Sequence, residues 1–236
     1  MQPRKPELYP EVVAAGGLSQ AIDNAFIAIG SLLRTKNEDG KLNPPFAYAR
    51  VEAGKKFSQI YIAAKEKLFM TDYWRDGVCL GQGSIDKLEL LVASIDYWLF
   101  SNDNTSELAK KFAFVSVSEK AAVFDANDEV AYSWEGIAND PWHTNLKEFV
   151  TLALQDEVLR TLFPFTSLDR LCFSRCTGYP YTYDAPIVVP IPGGKFDVRM
   201  DDHSVGIGGP DEALVLVKQH LPIGIQPAVK GTAEDL

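Results

Sequence analysis

Between Phe46 and Gln82 apolar residues alternate with a period of two, and short polar turns interrupt the alternation. The turns read EAGKK, AKEK and YWRDG. Turns of this length join antiparallel strands, whereas parallel strands need a crossover of about a dozen residues or more. The pattern therefore predicts three or four antiparallel strands, and it disfavours a doubly wound α/β fold.

Helical periodicity lies on both sides of these strands. Apolar residues recur at intervals of three and four from Leu18 to Leu33 and again from Ser84 to Leu99, with Ser84 as the predicted N-cap. A third helix is predicted over residues 145–162, with a capping box at its start, and a last one from Pro210 until shortly before Pro222. Short strands are predicted over residues 112–117, 122–124, 130–134, 171–174, 187–191, 195–200 and 204–207. The tail PAVKGTAEDL is predicted to be loose.

The two halves of the chain share the order helix, several strands, helix. Their ends also align, because VCLGQGSIDKLELLV and VGIGGPDEALVLV both run from a strand through glycine into an apolar helix. Internal duplication explains this likeness, and so does convergence of such junctions on glycine and a cap. We predict an α+β fold of two similar helix–antiparallel sheet–helix lobes, residues 1–105 and 141–236, joined by connecting strands over 106–140, packed as two domains or as one.

Composition excludes several classes of protein. The 236 residues are 46% apolar and 23% charged, as in an ordinary globular protein. The net charge of −9 disfavours nucleic acid as a partner, and no apolar stretch is long enough to span a membrane. The N-terminal MQPRKPELYPE lacks the apolar core of a signal peptide, and the odd cysteine count (Cys79, Cys172 and Cys176) indicates a reducing, cytoplasmic setting.

The segment FPFTSLDRLCFSRCTGYPYTYDAPIVVP is the most unusual in the chain. Tyr179, Tyr181 and Tyr183 would share one side of an extended loop, where they could stack on a flat ligand or contact a partner. Arg175 could bind a carboxylate or a phosphate. Alternatively, the tyrosines cover the edge of the core and their hydroxyls bond to backbone.

Other candidate groups are weaker. His143 could act as a base or could be a cap contact, and His203 lies beside two aspartates in MDDHS, at a predicted hairpin tip. Cys172 and Cys176 lack nearby histidines, so no metal site is predicted. GQGS and GIGGP precede helices without completing a phosphate-binding motif, so no cofactor is predicted either.

Three phrases carry a family resemblance: LYPEVVAAGG, LRTLFPFTSLDRLCFSRCTGYPYTYDAPIVVP and PAVKGTAEDL. They resemble a bacterial family of unknown function that is common in actinomycetes and associated with natural-product biosynthesis. The resemblance spans about Leu8 to Leu236. It implies a biosynthetic context and supplies no reaction, cofactor or catalytic residue.

Three functions remain open from the sequence. The first is an accessory protein that binds a protein partner or a small molecule, and the absence of a catalytic motif favours it. The second is an immunity or chaperone-like protein that binds a basic protein. The third is a tailoring enzyme in which Arg175, Tyr179 or Tyr181 acts with His143 or His203, which requires those side chains to converge in one cleft.

Overall fold

A computed structural model describes residues 6–36, 48–102 and 104–236, so the predicted start of the first strand at Phe46 lies outside the described residues. Over this part of the chain there are eight α-helices and ten β-strands. The helices are α1 (Pro10–Ala15), α2 (Leu18–Ala28), α3 (Leu88–Phe100), α4 (Thr105–Lys111), α5 (Glu119–Ala126), α6 (Glu129–Asn139), α7 (Lys147–Gln155) and α8 (Pro210–His220). The strands are β1 (Tyr48–Ala53), β2 (Lys56–Ile62), β3 (Phe69–Arg75), β4 (Val78–Ile85), β5 (Val115–Val117), β6 (Phe163–Ser167), β7 (Arg170–Ser174), β8 (Ile187–Ile191), β9 (Lys195–Met200) and β10 (His203–Gly208).

The chain divides into two compact units, which we call unit 1 (Met1–Asp125) and unit 2 (Ala126–Leu236). Each contains a five-stranded antiparallel sheet in which strands follow one another in chain order. The predicted α+β class is therefore confirmed. Unit 2 runs from helices through a five-stranded meander to a helix, whereas in unit 1 two helices, α3 and α4, separate β5 from the meander of β1 to β4. Whether the lobes predicted for residues 1–105 and 141–236 fold on their own stays a prediction.

Unit 1 buries one face of its sheet beneath α2 and α3. Alternate residues of β2 and β3 point to that face, and Ile60, Phe69 and Tyr73 are fully buried there. The Tyr73 hydroxyl lies 2.6 Å from Ser94 Oγ of α3, which satisfies both buried polar groups. The residues between them in sequence along β2 and β3 have their side chains on the other face of the sheet.

Unit 2 packs α6, α7 and α8 against its sheet. The rings of Phe149 on α7 and Phe196 on β9 lie 5.6 Å apart, and Trp134 on α6 is buried with its indole N–H donating to the Leu162 carbonyl at 3.2 Å. The apolar side chains of β7, β8 and β9 on this face complete the core.

The strands predicted for residues 122–124 and 130–134 are wrong, because both segments are helical. Val130, Trp134 and Ile137 are spaced four and three residues apart and pack on the unit 2 core, so their period is that of a helix. Only residues 115–117 of the strand predicted at 112–117 are extended. The connection between the two sheets is therefore mostly helical.

Three of the predicted helices begin or end at residues other than the predicted ones. The first ends at Ala28, before Gly30 adopts a φ of 77°. The second begins at Leu88 and not at Ser84, because β4 continues to Ile85, and Gly81 and Gly83 pair with Val117 and Val115 of β5.

The third predicted helix, over residues 145–162, is also shorter. α7 ends at Gln155, and the Asp156 carboxylate accepts two backbone N–H bonds at 3.0 Å that start a separate 3-10 turn. The predicted capping box at its start is absent, since no side chain caps α7. Pro164 then lies in β6, a strand the sequence analysis missed, and proline is tolerated there because β6 is an edge strand.

The last helix is confirmed, and glycine lets it lie close to the sheet. A Cβ at Gly208 would stand 2.5 Å from Cβ of Glu212 on α8, and one at Gly206 would stand 2.7 Å from Leu216 Cδ1. The Glu212 carboxylate in turn accepts the Gly209 N–H at 2.9 Å. The glycines of the GIGGP motif therefore allow α8 to lie close to β10. The Gly209 N–H, at the start of the helix, is bound by the Glu212 carboxylate of the same chain.

We expect Gly208→Ala to lower the free energy of unfolding by about 1–3 kcal/mol, because the Glu212 stem has to shift. Gly136→Ala on α6 is the matched control, since a Cβ there meets nothing within 4 Å. It should stabilise the helix by about 0.5–1 kcal/mol. Urea unfolding of both variants measures the difference, and equal effects would contradict the close-contact explanation.

Candidate functional site

The tyrosine loop, residues 175–186, connects β7 to β8, and a buried hydroxyl holds its base together. Ser174 Oγ accepts the backbone N–H groups of Cys176 and Thr182, both at 3.1 Å, and donates to the Cys176 carbonyl at 2.8 Å. Thr182 Oγ1 accepts the N–H of Arg175 at 2.9 Å. These bonds bring the two ends of the loop together across seven residues of sequence.

The C-terminal tail fixes the other side of the tyrosine loop, so the prediction of a loose tail is wrong. Val229 forms a parallel bridge with Cys176: its N–H donates to the Arg175 carbonyl at 3.0 Å and its carbonyl accepts the Thr177 N–H at 3.1 Å. The Gly178 N–H donates to the Gly231 carbonyl at 2.7 Å. The backbone groups of the loop, which lack strand partners of their own, thereby find partners in the tail.

Aromatic rings cover the outer side of this frame. Tyr181 stacks on Phe165 of β6 at 4.4 Å, and Tyr179 meets Tyr181 edge-on at 5.8 Å. Tyr183 meets Phe165 edge-on at 5.8 Å. We call Phe165, Tyr179, Tyr181 and Tyr183 the tyrosine surface.

The exposure of the three tyrosines differs. Tyr179 is 59% exposed and Tyr183 62%, while Tyr181 is half-buried. Burial raises the pKa of Tyr181 above its ordinary value, so its hydroxyl stays protonated. Tyr181 thus covers a sheet edge and its two neighbours face solvent, and contact of these tyrosines with a ligand or a partner stays a prediction.

Arg175 is engaged within the chain. Its Nε and Nη2 atoms lie 2.8 and 2.7 Å from the same Asp184 oxygen, and both side chains are about one-third exposed. A carboxylate or phosphate ligand would have to compete with Asp184 for the guanidinium. The ion pair of Arg175 with Asp184 therefore holds the two ends of the tyrosine loop together.

The two cysteines near the loop are buried thiols. Cys172 of β7 pairs across the sheet with Phe165, and burial raises its pKa to about 11. Cys176 Sγ lies 3.6 Å from the Gly178 carbonyl. Within residues 6–36, 48–102 and 104–236, no three His, Cys, Asp or Glu side chains are grouped as metal ligands would be.

His143 uses both ring nitrogens inside unit 2. Nδ1 lies 2.8 Å from Asp140 Oδ2, and Nε2 lies 3.2 Å from the Leu168 carbonyl in the β6–β7 turn. The hydrogen bond that the ring donates to Asp140 raises the pKa of His143, with a smaller contribution from the bond to the Leu168 carbonyl. When both ring nitrogens are protonated, each donates to one of these oxygens, and the ring then has no free lone pair to act as a base.

His203 lies outside the tyrosine loop, in the hairpin between β9 and β10. It is exposed at the start of β10, directly after Asp201 and Asp202, which turn the hairpin with positive φ angles of 46° and 64°. Asp202 pairs with Arg170. In the described chain neither His143 nor His203 forms a hydrogen bond with the tyrosine surface, so the predicted site residues do not form one hydrogen-bonded cluster.

Sequence reasoning missed Phe165 and the tail as parts of the site. Phe163 and Phe165 alternate around Pro164, which is a strand signal, but a proline at this position also predicts the end of a helix. The contact of the tail with the loop joins residues more than 50 positions apart, and no local pattern predicts such a pairing.

Charge is unevenly divided along the chain. Residues 126–236 hold 8 Lys plus Arg and 16 Asp plus Glu, a formal net charge of −8. Residues 1–125 hold 15 and 16, a net charge of −1. The acidity of the protein therefore belongs to the unit that carries the tyrosine surface.

Comparison with known families finds a match within unit 2. Residues 128–232 match the model of a family described as Family of unknown function (DUF6193). This range covers nearly all of unit 2, from the start of α6 to the tail. The predicted resemblance to a family of unknown function is confirmed over these residues, and the family description names no activity. No curated protein and no solved structure matches the chain.

None of the helices in the described part of the chain combines the length and the apolar character needed to cross a bilayer.

We expect Ser174→Ala to lower the free energy of unfolding by about 1–3 kcal/mol, because two buried N–H groups lose their acceptor. Ser167→Ala, at an exposed position on the neighbouring strand, is the control and should stay within about 0.5 kcal/mol of the wild type. Denaturant unfolding monitored by tyrosine and tryptophan fluorescence compares them. An unchanged Ser174→Ala protein would show that the hydroxyl does not hold the loop.

We also expect His143 to make stability depend on pH. Its pKa is raised in the folded state above the ordinary 6.5. The stabilisation is therefore fully present below the unfolded pKa and is lost as pH rises through the folded pKa. Unfolding free energies measured across this range should show the loss in the wild type and in His203→Gln, and not in His143→Gln. Persistence of the full pH dependence in His143→Gln would contradict this assignment.

Proposed function

We propose that the protein is a non-catalytic accessory protein whose unit 2 binds a basic protein partner through the tyrosine surface. The observation that carries this proposal is the exposure of Tyr179 and Tyr183 on a loop that is fastened at its base, by Asp184 and by the tail. A rigid frame lowers the entropic cost of binding, and tyrosine offers apolar area together with a polar tip.

Charge favours a partner rich in lysine and arginine. Unit 2 has a net charge of −8, which attracts basic surfaces and repels acidic ones. Lysine and arginine also bind over the faces of tyrosine rings. An immunity or chaperone-like protein with a basic toxin or client is one form of this activity.

Binding is a better account of unit 2 than catalysis. Both nitrogens of His143 are occupied, the Cys172 thiol stays protonated, and Arg175 is paired with Asp184. The tailoring enzyme considered from the sequence would need His143 or His203 to act in one cleft with Arg175, Tyr179 or Tyr181. The tyrosines need no such arrangement to contact a partner.

The natural-product context implied by the family resemblance is part of the same proposal. In that context the partner is a protein of a bacterial biosynthetic pathway. The free cysteines fit a reducing compartment, and we place the protein in the cytoplasm on that basis.

A peptide array graded in lysine and arginine content tests the proposal. The wild type should bind the basic peptides, and binding should weaken as salt is raised. The double variant Tyr179→Ala/Tyr183→Ala should bind about tenfold more weakly, as expected when exposed aromatic contacts are removed.

Trp142→Ala is the matched control, since Trp142 is an 86% exposed aromatic residue of unit 2 outside the tyrosine loop. It should bind as the wild type does. Equal losses in the control and the double variant, or a preference for acidic peptides, would refute the proposed role of the tyrosine surface.

A further inference from the structure

Unit 1 carries a polar row on the sheet face opposite α2 and α3. Its members lie directly opposite one another across five strands, in the order Arg50, Gln59, Asp72, Gln82 and Ser116. Arg50, Gln59 and Asp72 alternate along their strands with buried residues, so they face away from the helices, and the register places Gln82 and Ser116 on the same face. We call these five residues the polar row.

Aromatic pairs flank the polar row on both sides. Tyr48 and Tyr61 are cross-strand partners with rings 5.6 Å apart. On the other side Phe57 and Trp74 are partners that stack in parallel at 5.3 Å. A polar strip between apolar walls favours a ligand that has both a polar group and an apolar part.

Hydrogen bonds fix the orientation of the amides in the row. The Tyr61 hydroxyl donates to Gln59 Oε1 at 2.9 Å, and Gln82 Nε2 donates to Asp72 Oδ1, also at 2.9 Å. Burial, with Asp72 nearby, raises the pKa of Tyr61 to about 12, so the phenol stays neutral.

Asp72 is the acidic member of the polar row. Among the described residues no lysine, arginine or histidine forms an ion pair with it, and its Oδ2 atom accepts no hydrogen bond. A carboxylate placed beside aromatic walls with one free oxygen attracts a cation.

A cavity of about 480 Å³ opens at this carboxylate. Its lining includes Tyr61, Met70, Asp72, Gln82, Ser84 and Phe114, and among the described residues that line it Asp72 is the one with a charged side chain. The volume suits a small organic molecule. The Tyr61 and Phe114 rings and the Met70 thioether would contact the apolar part of such a molecule. The hydroxyls of the two lining serines add acceptors around the carboxylate.

We propose that this cavity binds an organic ammonium compound, a primary amine carried on an apolar or aromatic group. The ammonium donates to Asp72 Oδ2, and the apolar group packs between Tyr61, Met70 and Phe114. The site belongs to unit 1 alone, so it stands independently of the function proposed for unit 2.

Titration with phenethylamine, followed by NMR of the whole protein, tests the site. Phenethyl alcohol is the neutral comparison of nearly the same shape. The amine should bind saturably with shifts at the polar row, and the alcohol should bind about tenfold more weakly or not at all, since it lacks the charge.

Asp72→Asn keeps the shape of the side chain and an acceptor for Gln82, and it should weaken amine binding about tenfold or more. Asp86→Asn, at an exposed acid of the same unit outside the cavity, is the control and should bind normally. Ser84→Lys gives a second test. Position 84 is diagonal to Asp72 across β3 and β4, so the new ammonium should occupy the carboxylate and block the probe.

Absence of saturation in the wild type would overturn the proposal. So would equal binding of the amine and the alcohol, or unchanged binding in folded Asp72→Asn protein. Should Asp72→Asn fail to fold, normal amine binding by Ser84→Lys would overturn it as well.

Discussion

Side chains alternate in direction along every strand, so a sheet that buries one face beneath helices turns every second residue to its other face. In unit 1 this second face carries Gln59, Asp72 and Gln82, which lie in one row because the register places them opposite one another. In unit 2 the same face carries Phe165 and Cys172, and the tyrosine loop covers that part of the strands. The candidate sites of both units thus follow from one constraint, the burial of the opposite face.

Local patterns in the sequence sufficed for the hairpins. The hairpins from β1 to β4 and the hairpin of β8 and β9 each have alternating apolar residues on both sides of a short polar turn. This pattern lies within a few residues of sequence, so it can be recognised without knowing the fold. The start of α8 was also predictable, because Pro210 and the acids that follow it have intrinsic reasons to begin a helix.

The features that were missed depend on distant parts of the chain. Gly81 and Gly83 continue β4 because β5, about 35 residues later, pairs with them. The tail carries no local signal of its pairing, because its partner, Cys176, lies more than 50 residues away. Asp72 gave no signal either, since a lone acid on a strand becomes notable only when its cross-strand neighbours are known. The spacing of the tyrosines in the sequence identified them as candidate site residues. It did not predict which of them remain exposed, because that depends on the packing of Phe165 against the loop.

β5 differs from the other strands of its sheet in how it is attached. β1 to β4 join through short hairpins, whereas β5 follows two helices and contributes three residue pairs. Its detachment would break few hydrogen bonds and would leave the rest of the meander intact. We therefore expect amide hydrogens at this edge to exchange through local opening, while those of β2 and β3 exchange only when unit 1 unfolds as a whole. Ser116, at one end of the polar row, lies on this strand, so the row ends at the part of the sheet most easily opened.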